Sequence, residues 1–395
     1  MKRRDFLKRA GAGMAVAAMP GLSLARTDTD ARFVLVILRG AVDGLAMCAP
    51  YGDRNYAGLR GELALDGSSL GKLDGIFGLH PAFKTLHQSY EQREALVVHA
   101  VASPYRERSH FDGQDVLENG GANVGRLRDG WLNRALVPLG GSLGNETAIA
   151  MAQNTPLVLR GDASVTSWAP SQLPDTSDST IDRLADLYAD DEFFAIRLQQ
   201  ALKSQSIADS VDGMNEQRRR PNDAQFVRTM MSSTANFLKA DDGPRIAVVE
   251  AGGWDTHANQ GAATGQLANR FTALDAGLDE LKRQLGDAWS NTVVAVVTEF
   301  GRTARVNGTR GTDHGTATAA VLVGGAINGG KVVSDWPGLR NGDLYEGRDL
   351  AATTDLRSVF KTILTEHLDV DAAYVEREVF PDSSSARALD GLILT

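Results

Sequence analysis

One cysteine, Cys48, stands in a sequence of 395 residues, so no intramolecular disulfide can brace the fold. Within Leu45-Ala46-Met47-Cys48-Ala49-Pro50 it reads as a small buried hydrophobe rather than a reactive thiol. An excess of positive charge is missing too: 41 Lys and Arg face 50 Asp and Glu, a net charge of −9. That balance argues against nucleic acid or an anionic membrane as partner, and leaves room for a small anion in a local cationic pocket. Internal repeats and low-complexity tracts are absent. The apolar stretch from Ala10 to Leu24 is too short and too rich in glycine for a spanning helix, which needs about 20 apolar residues. No stable membrane anchor is expected.

What is present begins at the N-terminus. Arg3-Arg4-Asp5-Phe6-Leu7-Lys8 matches the twin-arginine export signature almost in full. The apolar stretch follows it, and Ser23-Leu24-Ala25 closes the segment as a small-residue cleavage site. Residues 1–25 are therefore expected to be a signal peptide that engages the twin-arginine translocon. The mature chain would be folded in the cytoplasm and work in the periplasm or outside the cell. Residues 26–395 exceed the usual size of one hydrophobic core, which allows one large α/β domain with an insertion, or two domains; the first is the expectation here.

Arg32 to Leu38 is a near-continuous apolar run, the pattern of a strand buried on both faces. Further strands are expected at Ala95 to Ala102, Arg245 to Glu250, Thr292 to Val297 and Ala319 to Val323. Helical spacing occupies Pro81 to Arg93 (Phe83, Leu86, Tyr90) and Gln266 to Leu285. Strands alternating with helices imply an α/β fold with a doubly wound, mostly parallel sheet and helices on both faces. Residues 161–243 differ. A Pro, Ser, Thr and Asp cluster precedes polar helices and a charged loop from Glu216 to Pro221, which reads as a helical insertion over the sheet.

Ligands in such a sheet sit outside the carboxyl ends of the strands, and the loops there collect metal-type side chains. Asp43 follows the first strand. Arg108-Ser109-His110 opens a helix after the second, and Asp255-Thr256-His257 follows the third. Glu299 and Arg302, then Asp313-His314-Gly315, follow the fourth. Carboxylates and imidazoles bind divalent cations such as zinc. A serine at a helix N-terminus lies beside free amides that can hold an anion or a developing oxyanion. Each residue has a plainer role open to it: Asp43 as a turn residue, Asp255 and Ser109 as helix caps, Arg302 as the partner of an acidic neighbour.

Arg-Gly-Ala-Val-Asp-Gly-Leu, Arg-Ser-His-Phe-Asp, Gly-Gly-Trp-Asp-Thr-His, Thr-Glu-Phe-Gly-Arg-Thr and Gly-Thr-Asp-His-Gly together resemble the twin-arginine-exported family of domain of unknown function 1501, over essentially the whole mature chain. That family is similar in turn to the alkaline phosphatase and sulfatase superfamily. The resemblance implies an alkaline phosphatase-like fold, with Asp43 as a bridging metal aspartate and Ser109 as nucleophile. It implies Asp255 and His257 on one metal, Glu299 on another, and His314 as a late zinc ligand. The superfamily's Asp-His pair appears here as Glu299-Phe300, so one imidazole is missing, and His110 could supply it. Cys48 lies outside any Cys-x-Pro-x-Arg sulfatase signature.

The expected function is an exported hydrolase of phosphate or sulfate esters that depends on one or two divalent metal ions, zinc first. A metal-activated Ser109 or water would attack a small anionic ester, with Arg302 balancing charge on the transferred group. The alternative is a catalytically silent metal-binding or assembly protein with the same fold.

Overall fold

The computed structural model describes residues 30–140, 147–170, 178–188, 191–209, 224–241 and 243–394. The expected signal peptide, the charged loop Glu216–Pro221 and part of the polar cluster at 175–180 lie outside the described residues. The main sheet consists of β1 (Arg32–Leu38), β2 (Ala95–Ala102), β3 (Ala148–Met151), β4 (Thr166–Ser167), β5 (Ile246–Ala251), β6 (Thr292–Val297), β7 (Thr318–Val323), β8 (Val332–Val333) and β9 (Thr354–Asp355). Its order is β8-β2-β7-β6-β1-β5-β3-β4, with β9 also paired to β2. Every strand described in this sheet but β7 runs in one direction. The fold is thus α/β with a large, mixed, mostly parallel sheet.

The reversal at β7 has a simple cause. A parallel return needs a crossover, usually a helix, and the connection 298–317 contains none, so the chain turns straight back beside β6.

Both faces of the sheet are covered. Along β1, Phe33, Leu35 and Ile37 join one apolar cluster, while Val34, Val36 and Leu38 join the other. The alternation follows from the two-residue period of a strand. The first face packs against α5 (Trp131–Leu136) and α10 (Leu356–Thr362), where Trp131 stacks on Phe360. The second packs against α3 (Thr85–Glu91), α8 (Ala224–Lys239) and α9 (Gln266–Leu285). In α9, Leu267, Phe271, Leu274, Leu278, Leu281 and Leu285 fall on one stripe. Lys282 and Arg283 in its last turn suit the negative end of the helix dipole.

The described part of the stretch 161–243 is built into the sheet and the core. It begins with the edge strand β4, and α8 places Met231, Ala235, Phe237 and Leu238 in the core beside α9. Between them run α6 (Asp178–Tyr188) and α7 (Glu192–Asp209). Among the described residues, no helix is long and apolar enough to cross a membrane.

The register decides what meets at the sheet's edge. Leu38 lies opposite Ala251, and Ile37 opposite Val297. The loops after β1, β5 and β6 therefore leave side by side at the carboxyl edge. Residues 103–109, after β2, open onto α4 (His110–Asn119).

Candidate metal centre

Asp255 leaves β5 through Gly252 and Gly253, and His110 is the first residue of α4. His314 returns on the β6–β7 connection, in an isolated antiparallel bridge with Arg302. One ligand atom from each of His110, Asp255 and His314 lies within 4.8 Å of the other two. His110 Nε2 is 3.3 Å from one oxygen of Asp255, and His314 Nε2 is 3.2 Å from the other. His257 Nε2 stands 2.9 Å from Asp255 Oδ1 and 3.0 Å from His314 Nε2.

The far side of each ring sets its tautomer. His110 Nδ1 lies 2.9 Å from Glu299 Oε1, and His314 Nδ1 lies 2.9 Å from the carbonyl of Arg108. A carbonyl accepts only, and so does an ionised carboxylate, so both rings carry a proton on Nδ1. When neutral, both present a lone pair from Nε2 toward Asp255. His110 Nε2 is fully shielded from solvent, yet no neighbour meets it in hydrogen-bonding geometry. His257 is different: Asp313 Oδ1 lies 3.2 Å from its Nδ1, so carboxylates stand at both of its nitrogens.

Charge around the trio is set by its neighbours. Burial pushes the Asp255 carboxyl up, but the Arg302 guanidinium, with His257 and His314, outweighs burial and holds it below the usual carboxylate range. Burial also pushes Glu299 up, and hydrogen bonds from His110, Gly40 and Gln114 reverse that. His110 is raised, chiefly by its bond to Glu299. His314 is lowered, chiefly by burial, with His110 adding to it.

The side chains singled out in the sequence separate into groups. His110, Asp255 and His314 converge, and His257 flanks the last two. Asp43 is engaged elsewhere. Its Oδ2 pairs with Arg60 of α2 (Tyr56–Arg60) and accepts from Gln260 Nε2 at 2.7 Å. Its Oδ1 caps α1 (Gly44–Met47) through the amide of Ala46 at 3.2 Å. Its contacts are thus guanidinium and amide hydrogens, in keeping with the plainer turn-and-cap role. Glu299 sits behind His110, not beside Asp255. Arg302 is buried, with Nη1 on Asp255, Nε on Thr312 Oγ1 at 3.1 Å and Nη2 on the Thr312 carbonyl. It braces Asp255, and its side chain is shielded from solvent. Ser109 is the N-cap of α4 by position, but its side chain makes no capping hydrogen bond, which leaves the hydroxyl uncommitted at the helix start.

The family model described as Protein of unknown function (DUF1501) matches residues 94–379. The chain belongs to this family. No curated protein matches the sequence. Among solved structures, the DUF1501 chain is similar to the C-terminal periplasmic domain of EcEptC from Escherichia coli, in complex with Zn. Identity is 9%, coverage is 75% of this chain and 73% of that one, and the TM-score is 0.39. It is similar also to the phosphonate monoester hydrolase of Agrobacterium radiobacter, at 11% identity, 86% and 74% coverage and a TM-score of 0.33.

Sequence reasoning overlooked two contributors to this DUF1501 site. Gln114 donates to Glu299 Oε1 at 3.2 Å, and it follows His110 by four residues, the spacing that puts two side chains on one helix face. The Arg108 carbonyl that fixes His314 leaves no such signal. Its residue adopts φ of 63°, a left-handed conformation rare outside glycine.

Proposed function

We propose that this chain is an exported, metal-dependent hydrolase of phosphate or sulfate esters. The observation that carries the reading is the convergence of His110, Asp255 and His314 with both imidazoles preset to offer Nε2. Two nitrogens and a carboxylate are a donor set suited to zinc, and the unmatched Nε2 of His110 fits a ligand waiting for a cation. A divalent cation bound there would supply Lewis-acid charge and make a nearby hydroxyl or water more acidic.

The chain's own residues would do the rest. Ser109 holds its hydroxyl at the N-terminus of α4, where unpaired helix amides favour an anion or an alkoxide. Arg302 keeps the Asp255 carboxylate ionised and fixed. Glu299 and the Arg108 carbonyl hold the imidazoles in place.

A second reading, metal binding without turnover, is favoured by a specific observation. Asp43 and Arg302, which a complete two-metal phosphotransfer site would use, are both committed to internal pairs. The test is elemental analysis of protein recovered from the periplasm, with a screen of phosphate and sulfate monoesters on wild type, on Ser109→Ala and, as a control, on Ser103→Ala, which alters the other serine of the loop after β2. The hydrolase reading expects bound zinc, turnover of at least one ester, a loss of about 10³-fold or more in Ser109→Ala, and little change in Ser103→Ala. Metal without turnover favours the second reading, and full activity in Ser109→Ala makes water the nucleophile.

A further inference from the structure

We propose that Glu299 is a positioning residue that acts on the cation through His110, rather than a ligand of it; this rests on the metal reading above. Glu299 is fully buried, and one of its oxygens gathers three donors. Oε1 accepts from the Gly40 amide at 2.9 Å, from His110 Nδ1 at 2.9 Å and from Gln114 Nε2 at 3.2 Å. Oε2 lies 2.9 Å from the Thr298 hydroxyl, whose single hydrogen has the Leu38 carbonyl at 2.6 Å as its nearer acceptor. A carboxylate held by the Gly40 amide and by two side chains on successive turns of α4 cannot swing to a cation without breaking several of these bonds. It can, however, fix the orientation of the ring that bonds to it, and a carboxylate behind a metal-bound imidazole raises the basicity of the nitrogen in front.

The arrangement also gives the loop after β1 a role. Gly40 adopts φ of 118°, and a Cβ there would come within 2.8 Å of the Asp255 amide. Residue 40 thus sits between the loop that bears Asp255 and the carboxylate that orients His110, and glycine is what lets the two approach. Gly113, one turn into α4, allows a similar approach: a Cβ there would meet Phe300 at 2.8 Å. The ring of His110 stacks on Phe300, with centroids 5.1 Å apart.

Two variants separate positioning from ligation. Glu299→Gln keeps an oxygen for His110 Nδ1 and removes the charge; Glu299→Leu removes both. Zinc affinity is measured on the purified chain by competition with a chromophoric chelator. The donor set is read independently by X-ray absorption of the zinc-loaded protein and by the visible spectrum of the cobalt-substituted one. Loss of an outer partner of this kind weakens metal binding by about 10- to 100-fold. The expected order is a loss near the lower end for Glu299→Gln and near the upper end for Glu299→Leu, with the number of nitrogen and oxygen donors unchanged in Glu299→Gln. Circular dichroism of the metal-free proteins checks that both variants fold, and Gln114→Ala, which leaves Glu299 in place, gives a smaller loss if Glu299 itself fails to fold when changed. A donor lost from the cobalt spectrum of Glu299→Gln would make Glu299 a ligand and overturn the proposal. Unchanged affinity in every variant that folds would overturn it as well while leaving the metal reading intact. A wild type that takes up no zinc overturns both.

Discussion

Asp43 and Asp255 follow two strands that lie side by side in the sheet, and their carboxylates have been put to opposite uses. Asp43 is buried against Arg60, Gln260 and an amide of its own turn. Asp255 is partly exposed and faces three imidazoles, with Arg302 on one oxygen. A carboxylate surrounded by guanidinium and amide hydrogens has no vacancy that a cation could enter, because those donors cannot give up their protons. One surrounded by imidazoles can exchange protons for metal. The residue type and its place after a strand are the same in both loops. The partners decide the outcome.

The largest test of that contrast is stability. Arg60→Met leaves the Asp43 charge buried without its partner, which should cost about 3–5 kcal/mol in denaturant unfolding while the folded fraction still takes up zinc. Asp255→Asn should do the reverse, losing zinc with a smaller fall in stability, since the amide oxygen remains for Arg302. If Asp43→Asn removes zinc as fully as Asp255→Asn does, the two loops form one site and the contrast collapses.

A histidine far from the edge sharpens the comparison next. His99 is fully buried, with Nε2 on the Cys48 carbonyl at 2.9 Å and Nδ1 accepting from the Ala100 amide at 2.7 Å. Both nitrogens are used by the neutral ring, and burial pushes its pKa from 6.5 down to about 4. Below pH 6.5 the unfolded chain takes up a proton there that the folded chain refuses. Stability should therefore fall as the pH drops from about 6.5 to about 4, by about 3 kcal/mol from this group alone. Burial lowers His80 and His367 in the same direction. Denaturant midpoints measured across this window should slope in wild type and slope less steeply in His99→Gln, where His80 and His367 remain. An equal slope in both would remove His99 from the account.

The third and smallest effect belongs to the edge itself. Free zinc at 100 times its dissociation constant should stabilise the wild type by about 2.7 kcal/mol and leave His314→Ala unmoved, as read from thermal unfolding with and without a chelator. Stabilisation of His314→Ala by the same amount would place the cation elsewhere.

How much of this was legible in the sequence varies by element. The apolar runs of β1, β2, β5, β6 and β7 and the stripe of α9 could be read directly, because a doubly buried strand and an amphipathic helix each impose a periodicity. The direction of β7 could not, since the run Thr318–Val323 pairs equally well either way and the missing crossover helix decides. The four residues of β3 were too short a run to register. At the site, His110, Asp255, His257 and His314 were identified as candidates together with Asp43 and Glu299, and nothing in the sequence separated the residues that converge from those that do not. Arg60 lies 17 positions beyond Asp43, and Gln260 lies 217 beyond it. Nothing in the spacing announces those pairings. The depth that puts Glu299 behind His110 is a property of the packed sheet.

The separation of the ligands along the chain has a consequence for how the molecule comes to be folded. Asp255 and His314 are 59 positions apart, and the His110–Glu299 bond spans 189. Closing loops of that length is slow work for a chain, and none of these contacts can form within one local hairpin. The three ligand atoms meet after β1, β2, β5 and β6 have taken their places, so a nascent or partly folded chain has no competent site to offer. On the metal reading proposed above, cation capture would report that the sheet is complete, and the ion would select finished molecules from unfinished ones.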